Sequence, residues 1–335
     1  MRSVFGAFSL SLCEGRRRQA GGTSTSGDPA TPRACAALLN IMGKKLTAAE
    51  LSALPVAEFV AAIGGVYENS PWIAEKAYAS GPYDSLAALA KGLKQVVQDA
   101  GTEAQIALLQ AHPDLAGKAA LAGELTAEST EEQASAGLGS LTKEEMATFV
   151  SNNDAYKAKF GFPFVLAVRN ARKGTILGSF TTRLQNSPSA ELAEGIFQVH
   201  KIAWMRLRTL VAPNPTGFLT CHVLDTARGC PAAGMSISLS KLNEATGGWE
   251  LIGRFVTNSD GRLSDGPALK GEAFTFGTYE WMFNVGDYFA TAGVPTAGTH
   301  FLFDVPLRFG IDDPEAHYHV PLLCSPWSFS TYRGS

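Results

Sequence analysis

Apolar residues recur every three or four positions through the first half of the chain, and every second position through parts of the second half. The two halves therefore read as different kinds of structure. Leu46 to Leu51 opens a short helix, and Pro55 to Tyr67 reads as another with Phe59, Val60, Ile63 and Val66 turned inward. Leu86, Leu89, Leu93, Val96 and Val97 share one helical face. Ile106, Leu108 and Leu109 continue in a helix that has to stop near His112, because Pro113 disfavours helical geometry in its predecessor. A last long helix spans about Ala190 to Val211. This half is predicted all-α.

The pattern changes after Val211, where Pro213-Asn214-Pro215-Thr216-Gly217 is incompatible with a helix. Strand-like runs follow at Phe218 to Leu224, Met235 to Leu242, Trp249 to Thr257, Phe274 to Phe283, His300 to Val305 and His319 to Leu323. Turn signals such as Asn258-Ser259-Asp260-Gly261 separate them, the spacing expected of a β-sandwich. The predicted organisation is a leader over 1–44, an all-α domain over 45–211, a linker over 212–217 and a β-sandwich over 218–335.

At 335 residues the chain has room for two cores. A formal charge of -3 offers no polycation for nucleic acid or an anionic membrane, and no apolar run is long enough to span a bilayer. The five cysteines are odd in number and form no CxxC or zinc pattern, which favours free thiols in a reducing compartment. In the leader Arg2, Arg16, Arg17, Arg18 and Arg33 lie among small and hydroxyl residues, as in an organellar signal, but Glu14 and the Gly-Ser-Thr run spoil an amphipathic helix and favour disorder. No Ser-Lys-Leu ends the chain.

Candidate chemistry in the helical half centres on three places. His112 stands where a helix gives way to extended chain, as a cap on terminal carbonyls or as a functional imidazole. Ser129 and Glu132 have the spacing of a capping box. Arg206 falls on the apolar stripe of its helix with Val199, Ala203 and Leu210, so it needs a buried carboxylate or an anionic ligand. In Phe160-Gly161-Phe162-Pro163-Phe164, Pro163 either frees nearby amides for a ligand or opens a helix. In the other half His222 interrupts a strand, Arg262 closes the Asn258 turn and His319 sits on the last strand region. Each has an ordinary structural explanation, and the histidines lack zinc-ligand spacing.

Two resemblances organise these residues. His112-Pro113-Asp114-Leu115-Ala116-Gly117-Lys118, Ser129-Thr130-Glu131-Glu132-Gln133 and Phe160 to Phe164 resemble, in order and spacing, the 2-oxo-4-hydroxy-4-carboxy-5-ureidoimidazoline (OHCU) decarboxylases, an all-α family. That resemblance implies catalytic roles for His112, Glu132 and Arg206, with Pro113, Ser129, Gln133, Phe164, Val165, Leu166, Ala167 and Val168 lining the site. It casts His112 as acid–base group, Glu132 as holding the imidazole or a substrate N–H, and Arg206 as a fork for an anionic oxygen.

Leu219 to Asp225, Gly229-Cys230-Pro231-Ala232, Thr257 to Arg262 and the closing Tyr332-Arg333-Gly334-Ser335 resemble the 5-hydroxyisourate hydrolases of the transthyretin-like family. This implies His222, Arg262 and His319 as catalytic, with Tyr332, Arg333, Gly334 and Ser335 closing the pocket. The hormone-carrying transthyretins share that fold without these residues. Together the resemblances imply consecutive steps on purine-derived small molecules with no metal or cofactor, in a homo-oligomer that is tetrameric through the β half with dimer contacts through the helical half. They imply a peroxisomal or cytoplasmic location. The competing expectations are a carrier fused to a helical docking domain, and a fusion with one working site.

Overall fold

A computed structural model describes residues 45–117, 125–169, 171–294 and 298–334; the expected leader and Ser335 lie outside them. The helical half holds α1 (Ala48–Ser52), α2 (Val56–Ile63), α3 (Trp72–Tyr78), α4 (Leu86–Asp99), α5 (Gly101–Gln110), α6 (Ala127–Ser135), α7 (Lys143–Phe160), α8 (Lys173–Arg183) and α9 (Pro188–Leu210). Hydroxyl side chains open most of the longer ones. Ser85, Thr126, Thr142 and Ser187 each accept a main-chain N–H in the first turn, satisfying a donor the helix leaves orphaned. The apolar stripes meet in one core that includes Phe59, Ile63, Leu89, Leu93, Leu109, Phe149, Phe180 and Val199.

The second half holds β1 (Phe218–Thr220), β2 (Val223–Asp225), β3 (Cys230–Pro231), β4 (Ser236–Leu242), β5 (Trp249–Val256), β6 (Leu269–Lys270), β7 (Gly277–Asn284), α10 (Val285–Thr291), β8 (Asp304–Ile311), β9 (His317–His319), β10 (Leu322–Cys324) and β11 (Phe329–Ser330). One sheet runs β5-β4-β7-β8; the other side is two short sheets, β6-β1-β9 and β11-β10-β2-β3. A second core lies between them, where Leu219, Val223 and Leu322 meet Ile237, Leu239, Trp281 and Phe283. Two expected strands are each broken in two, at Cys221-His222 and at Val320-Pro321. The expected strand His300 to Val305 is instead Asp304–Ile311. It contains Pro306, which a sheet tolerates because β8 lies at the edge and the missing N–H breaks no ladder. Helix α10 was not anticipated. Among the described residues no helix is long and apolar enough to cross a membrane.

The halves meet at Glu315, whose carboxylate accepts the N–H of Leu86 at 2.8 Å and of Asn214 at 2.8 Å. It supplies a negative charge to the N-terminus of α4 from the other domain. Arg208 reaches across to Asp312 at 2.9 Å and lies over the Phe276 ring. Glu315→Ala strips both N–H groups of their acceptor, and full-length protein should lose about 1–3 kcal/mol in urea unfolding. An unchanged midpoint would mean that water replaces the carboxylate without cost.

Candidate functional sites

The first site is a cavity in the helical half lined by His112, Pro113, Leu115, Ser129, Glu132, Gln133, Phe164, Val165, Leu166, Val168, Ile202 and Arg206. Of the residues expected there, Ala167 alone is not in the lining; its N–H is committed to Gln198 Oε1 at 3.1 Å. Helix α5 ends at Gln110, and His112 folds back so that its Nδ1 meets the Leu108 carbonyl at 2.9 Å. A carbonyl only accepts, so Nδ1 carries the proton and Nε2 of the neutral ring keeps a lone pair. The cap expected of His112 is present, and its other ring nitrogen keeps a lone pair. The following loop is pinned by Ala116 N–H to Gln133 Oε1, Asn153 Nδ2 to the Leu115 carbonyl and Lys157 to Asp114.

Arg206 is 2% exposed and lies between two carboxylates. Its Nε and Nη2 hold Glu132 at 2.9 and 3.0 Å, Nη2 also reaches Ser129 Oγ, and Nη1 reaches Glu68 Oε2 at 2.8 Å and the Gly65 carbonyl. These contacts account for all five guanidinium donors. The expected free fork for an anionic oxygen is not present, because protein carboxylates already occupy it. The Ser129–Glu132 capping box is also corrected. Thr126 is the N-cap of α6, Ser129 Oγ donates to Glu68 Oε2 at 3.0 Å, and Glu132 serves Arg206.

Glu68 was missed in the sequence. It stands between Tyr67 and Asn69 in a turn after α2, and only its burial at 2% exposure and its three partners reveal it. Burial works to raise the Glu68 carboxyl, but Arg206, Thr126 and nearby His112 hold it below the ordinary range. Burial pushes His112 down, reinforced by Arg206 and opposed by the Leu108 carbonyl and Glu68. Burial also opposes the charge on Arg206, yet Glu132 and Glu68 hold its pKa above the usual value. The site is a neutral imidazole beside a buried cluster of two carboxylates and one guanidinium.

Phe162 to Val168 does not form the helix that Pro163 would have opened; it is irregular chain after α7, which ends at Gly161 with φ 79°. Phe164 is buried and stacked on Phe180, with Arg183 over its face.

The second site lies where the short strands break. β1 pairs in parallel with β9, placing Thr220 opposite His319, and β2 pairs in parallel with β10. His222 falls in the gap between β1 and β2 and bridges to Arg262 across the backbone. The His222 and His319 ring centres are 6.5 Å apart. The Arg262 turn is set locally. Asn258 Oδ1 accepts the N–H groups of Asp260 and Arg262, and Gly261 has φ 70° with the Val223 carbonyl 2.3 Å from where a Cβ would stand.

Burial and the Arg262 charge lower the His222 pKa, against Asp260. Burial, then Arg262, His222 and His317, lower that of His319. Both rings are thereby kept neutral beside a guanidinium. Thr220 and His317 had no role assigned from the sequence: the Thr220 hydroxyl bridges His317 Nε2 at 2.8 Å and His319 Nδ1 at 2.9 Å. One hydroxyl can donate to one ring and accept from the other, so the two tautomers are linked. Gly334 N–H donates to the His319 carbonyl, and a Cβ there would lie 2.8 Å from His319 Cδ2. Arg333 covers the Tyr318 ring, and Tyr332 is exposed.

Residues 52–208 match the OHCU decarboxylase family model, and residues 219–334 match that of the HIUase/transthyretin family. The 5-hydroxyisourate hydrolase 2 of Rhizobium meliloti is 55% identical over 122 residues, 36% of this chain and 99% of that protein. The 2-oxo-4-hydroxy-4-carboxy-5-ureidoimidazoline decarboxylase of Halalkalicoccus jeotgali is 41% identical over 170 residues, 51% of this chain and 94% of that protein. A crystal structure of (S)-allantoin synthase is similar to both halves together, with TM-score 0.72 and 46% identity, covering 87% of this chain and all of that one.

Arg206→Leu leaves Glu68 and Glu132 as buried carboxylates without a counter-charge. Equilibrium unfolding should show a loss of about 3–5 kcal/mol. A loss near the ~0–1 kcal/mol of a surface pair would mean that the cluster is solvated.

Proposed function

The chain belongs to the OHCU decarboxylase family through residues 52–208 and to the HIUase/transthyretin family through residues 219–334, and from that membership we propose how its two sites act in sequence. The protein is a bifunctional enzyme of urate breakdown. It hydrolyses 5-hydroxyisourate to OHCU and decarboxylates OHCU to (S)-allantoin. What supports the division of labour is that each half gathers its own set of residues: His112 lines one cavity with Glu132 and Arg206, and His222 lies 6.5 Å from His319, ring centre to ring centre, with its backbone bridged to Arg262.

In the β half, a neutral imidazole of the His222–His319 pair takes a proton from water as its oxygen adds to the ring amide carbon. Arg262 steadies the oxyanion that forms. Collapse breaks the carbon–nitrogen bond, the departing nitrogen takes the proton, and the ring opens to a carboxylate. Thr220 and His317 hold the His319 tautomer. Tyr332, Arg333, Gly334 and Ser335 close the pocket, Gly334 because no larger residue fits beside His319; Ser335 is outside the described residues.

In the helical half, loss of CO2 leaves an electron pair that spreads into the ring C=N, whose nitrogen takes a proton from solvent. His112 Nε2 removes the proton of the 4-hydroxyl and returns it to the neighbouring ring carbon. Delivery from the one face His112 occupies makes the product S. Arg206 acts as a positioning residue that fixes Glu132 and Ser129, and Glu68 completes that clamp. Gln133, with Oε1 engaged by the Ala116 N–H, retains its amide N–H groups for a substrate oxygen. Pro113 and Phe164 to Val168 wall the ring in. The cavity measures about 30 Å³, so these lining side chains have to part for substrate to enter.

The assembly in this reading is a homo-oligomer, tetrameric through the β half with dimer contacts through the helical half, acting in peroxisome or cytoplasm. No cofactor enters either step.

With freshly generated 5-hydroxyisourate, His222→Ala should abolish the first ultraviolet change while OHCU supplied separately is still consumed. His112→Ala should leave the first step intact and yield racemic allantoin by circular dichroism. If either substitution silences both steps, the division of labour is wrong. The second step needs neutral His112, whose pKa is depressed. Its rate should therefore hold as pH falls through about 6.5, the ordinary histidine value, and decline only in more acid solution; a decline centred at or above that value would contradict the assignment.

A further inference from the structure

Helix α9 has two working faces. Ile202 and Arg206 line the decarboxylase cavity, whereas Phe197, His200, Lys201 and Trp204 line a separate groove of about 590 Å³. Its other walls are Lys91, Lys94 and Gln98 of α4 and Asp312 and Asp313 of the β half, so it lies at the domain junction. Neither proposed reaction uses it.

Two buried ring nitrogens among these residues have no hydrogen-bond partner, Trp204 Nε1 and His200 Nε2. His200 is 9% exposed, and its Nδ1 meets the Tyr67 hydroxyl at 2.9 Å. If Nδ1 donated to Tyr67, the Tyr67 O–H and His200 Nε2 would both be unpaired. With the hydroxyl donating to Nδ1, only the Nε2–H is left, and that is the less costly arrangement. Burial and Lys94 push His200 down to about 4, so the ring is neutral. Two wall residues thus carry unsatisfied N–H donors closed off from solvent, so an acceptor entering the groove has to part the walls to reach them and relieve their desolvation cost.

The charge points the same way. Lys91, Lys94 and Lys201 form no ion pair among the described residues. Of the two carboxylates, Asp312 is held by Arg208 and Asp313 accepts the Glu315 N–H. The aromatic surfaces are an indole and Phe197, 56% exposed with Lys201 over its ring. Acceptor-seeking N–H groups, unpaired ammonium groups and flat apolar walls are complementary to a planar organic anion rich in carbonyl oxygens.

We propose that this junction groove is a binding site for a planar oxopurine-type anion, separate from both catalytic sites. The choice of an oxopurine ring rests on the reactions proposed above; the anion site itself rests on the groove. Lys94→Gln/Lys201→Gln removes two charges from the solvent-facing walls, and Trp204→Phe removes one N–H while keeping a ring.

Urate is the probe, read by quenching of the Trp204 emission (wild type minus Trp204→Phe) in full-length protein. Saturable quenching is expected, with the double lysine variant at least tenfold weaker and both reaction rates within twofold of wild type. Inorganic phosphate at equal concentration should not displace urate. The proposal is overturned by absence of a Trp204-dependent signal, by equal affinity in the lysine variant, or by equal competition from phosphate, which would reduce the groove to a charge trap. Loss of either reaction in the lysine variant would also overturn it, by making the groove part of a catalytic site. Failure of wild type to turn over its substrates would instead count against the proposed reactions.

Discussion

A guanidinium held out of water between two carboxylates is the constraint on which the helical half depends. Isolated, any one of Arg206, Glu68 or Glu132 would be costly to bury, and together they leave one net negative charge. The arrangement joins the turn after α2, the first turns of α6 and the C-terminal end of α9, three places with no local reason to meet. Removing water from the cluster is what makes it directional. Each N–H of Arg206 has an assigned acceptor, so the carboxylates and the Ser129 hydroxyl are fixed without being consumed by substrate. The cost of this order falls on folding and is already met when substrate arrives.

The β half solves a similar problem by opposite means. Its histidines sit at interruptions in short strands, where parallel pairing of β1 with β9 and β2 with β10 puts two sequence-distant breaks side by side. Main-chain bonds still cross the breaks, from Val320 N–H to the Thr220 carbonyl and from Leu322 N–H to the His222 carbonyl, so the chain holds its register while strand geometry is interrupted. Registry therefore does for His222 and His319 what ion pairing does for Glu132 and Ser129. In both halves burial is the main cause that lowers the imidazole pKa, with a guanidinium acting in the same direction.

How far the primary structure could be read follows from the range of the interactions. Helix α4 was legible from Leu86, Leu89 and Leu93, and the end of α5 from Pro113, because period and proline act within one turn. The Ser129–Glu132 pair was misread because a capping box and a buried charge cluster use the same residue types at the same spacing. Only the position of Thr126, one turn earlier, decides between them. Glu68 carried no local signal, since its partners lie on α6 and α9. The expected strand stops at Val305, whereas the true one runs through Pro306, as edge position is a property of the sheet and cannot be seen in the strand. The likeness to known families located His222, Arg262 and His319, yet Thr220 and His317 appeared only once the register was known.

The closeness of Gly334 to His319 has a practical side. The main chain there runs against the His319 ring, with no space for even a methyl group. A larger side chain at position 334 would have to push the His319 ring aside.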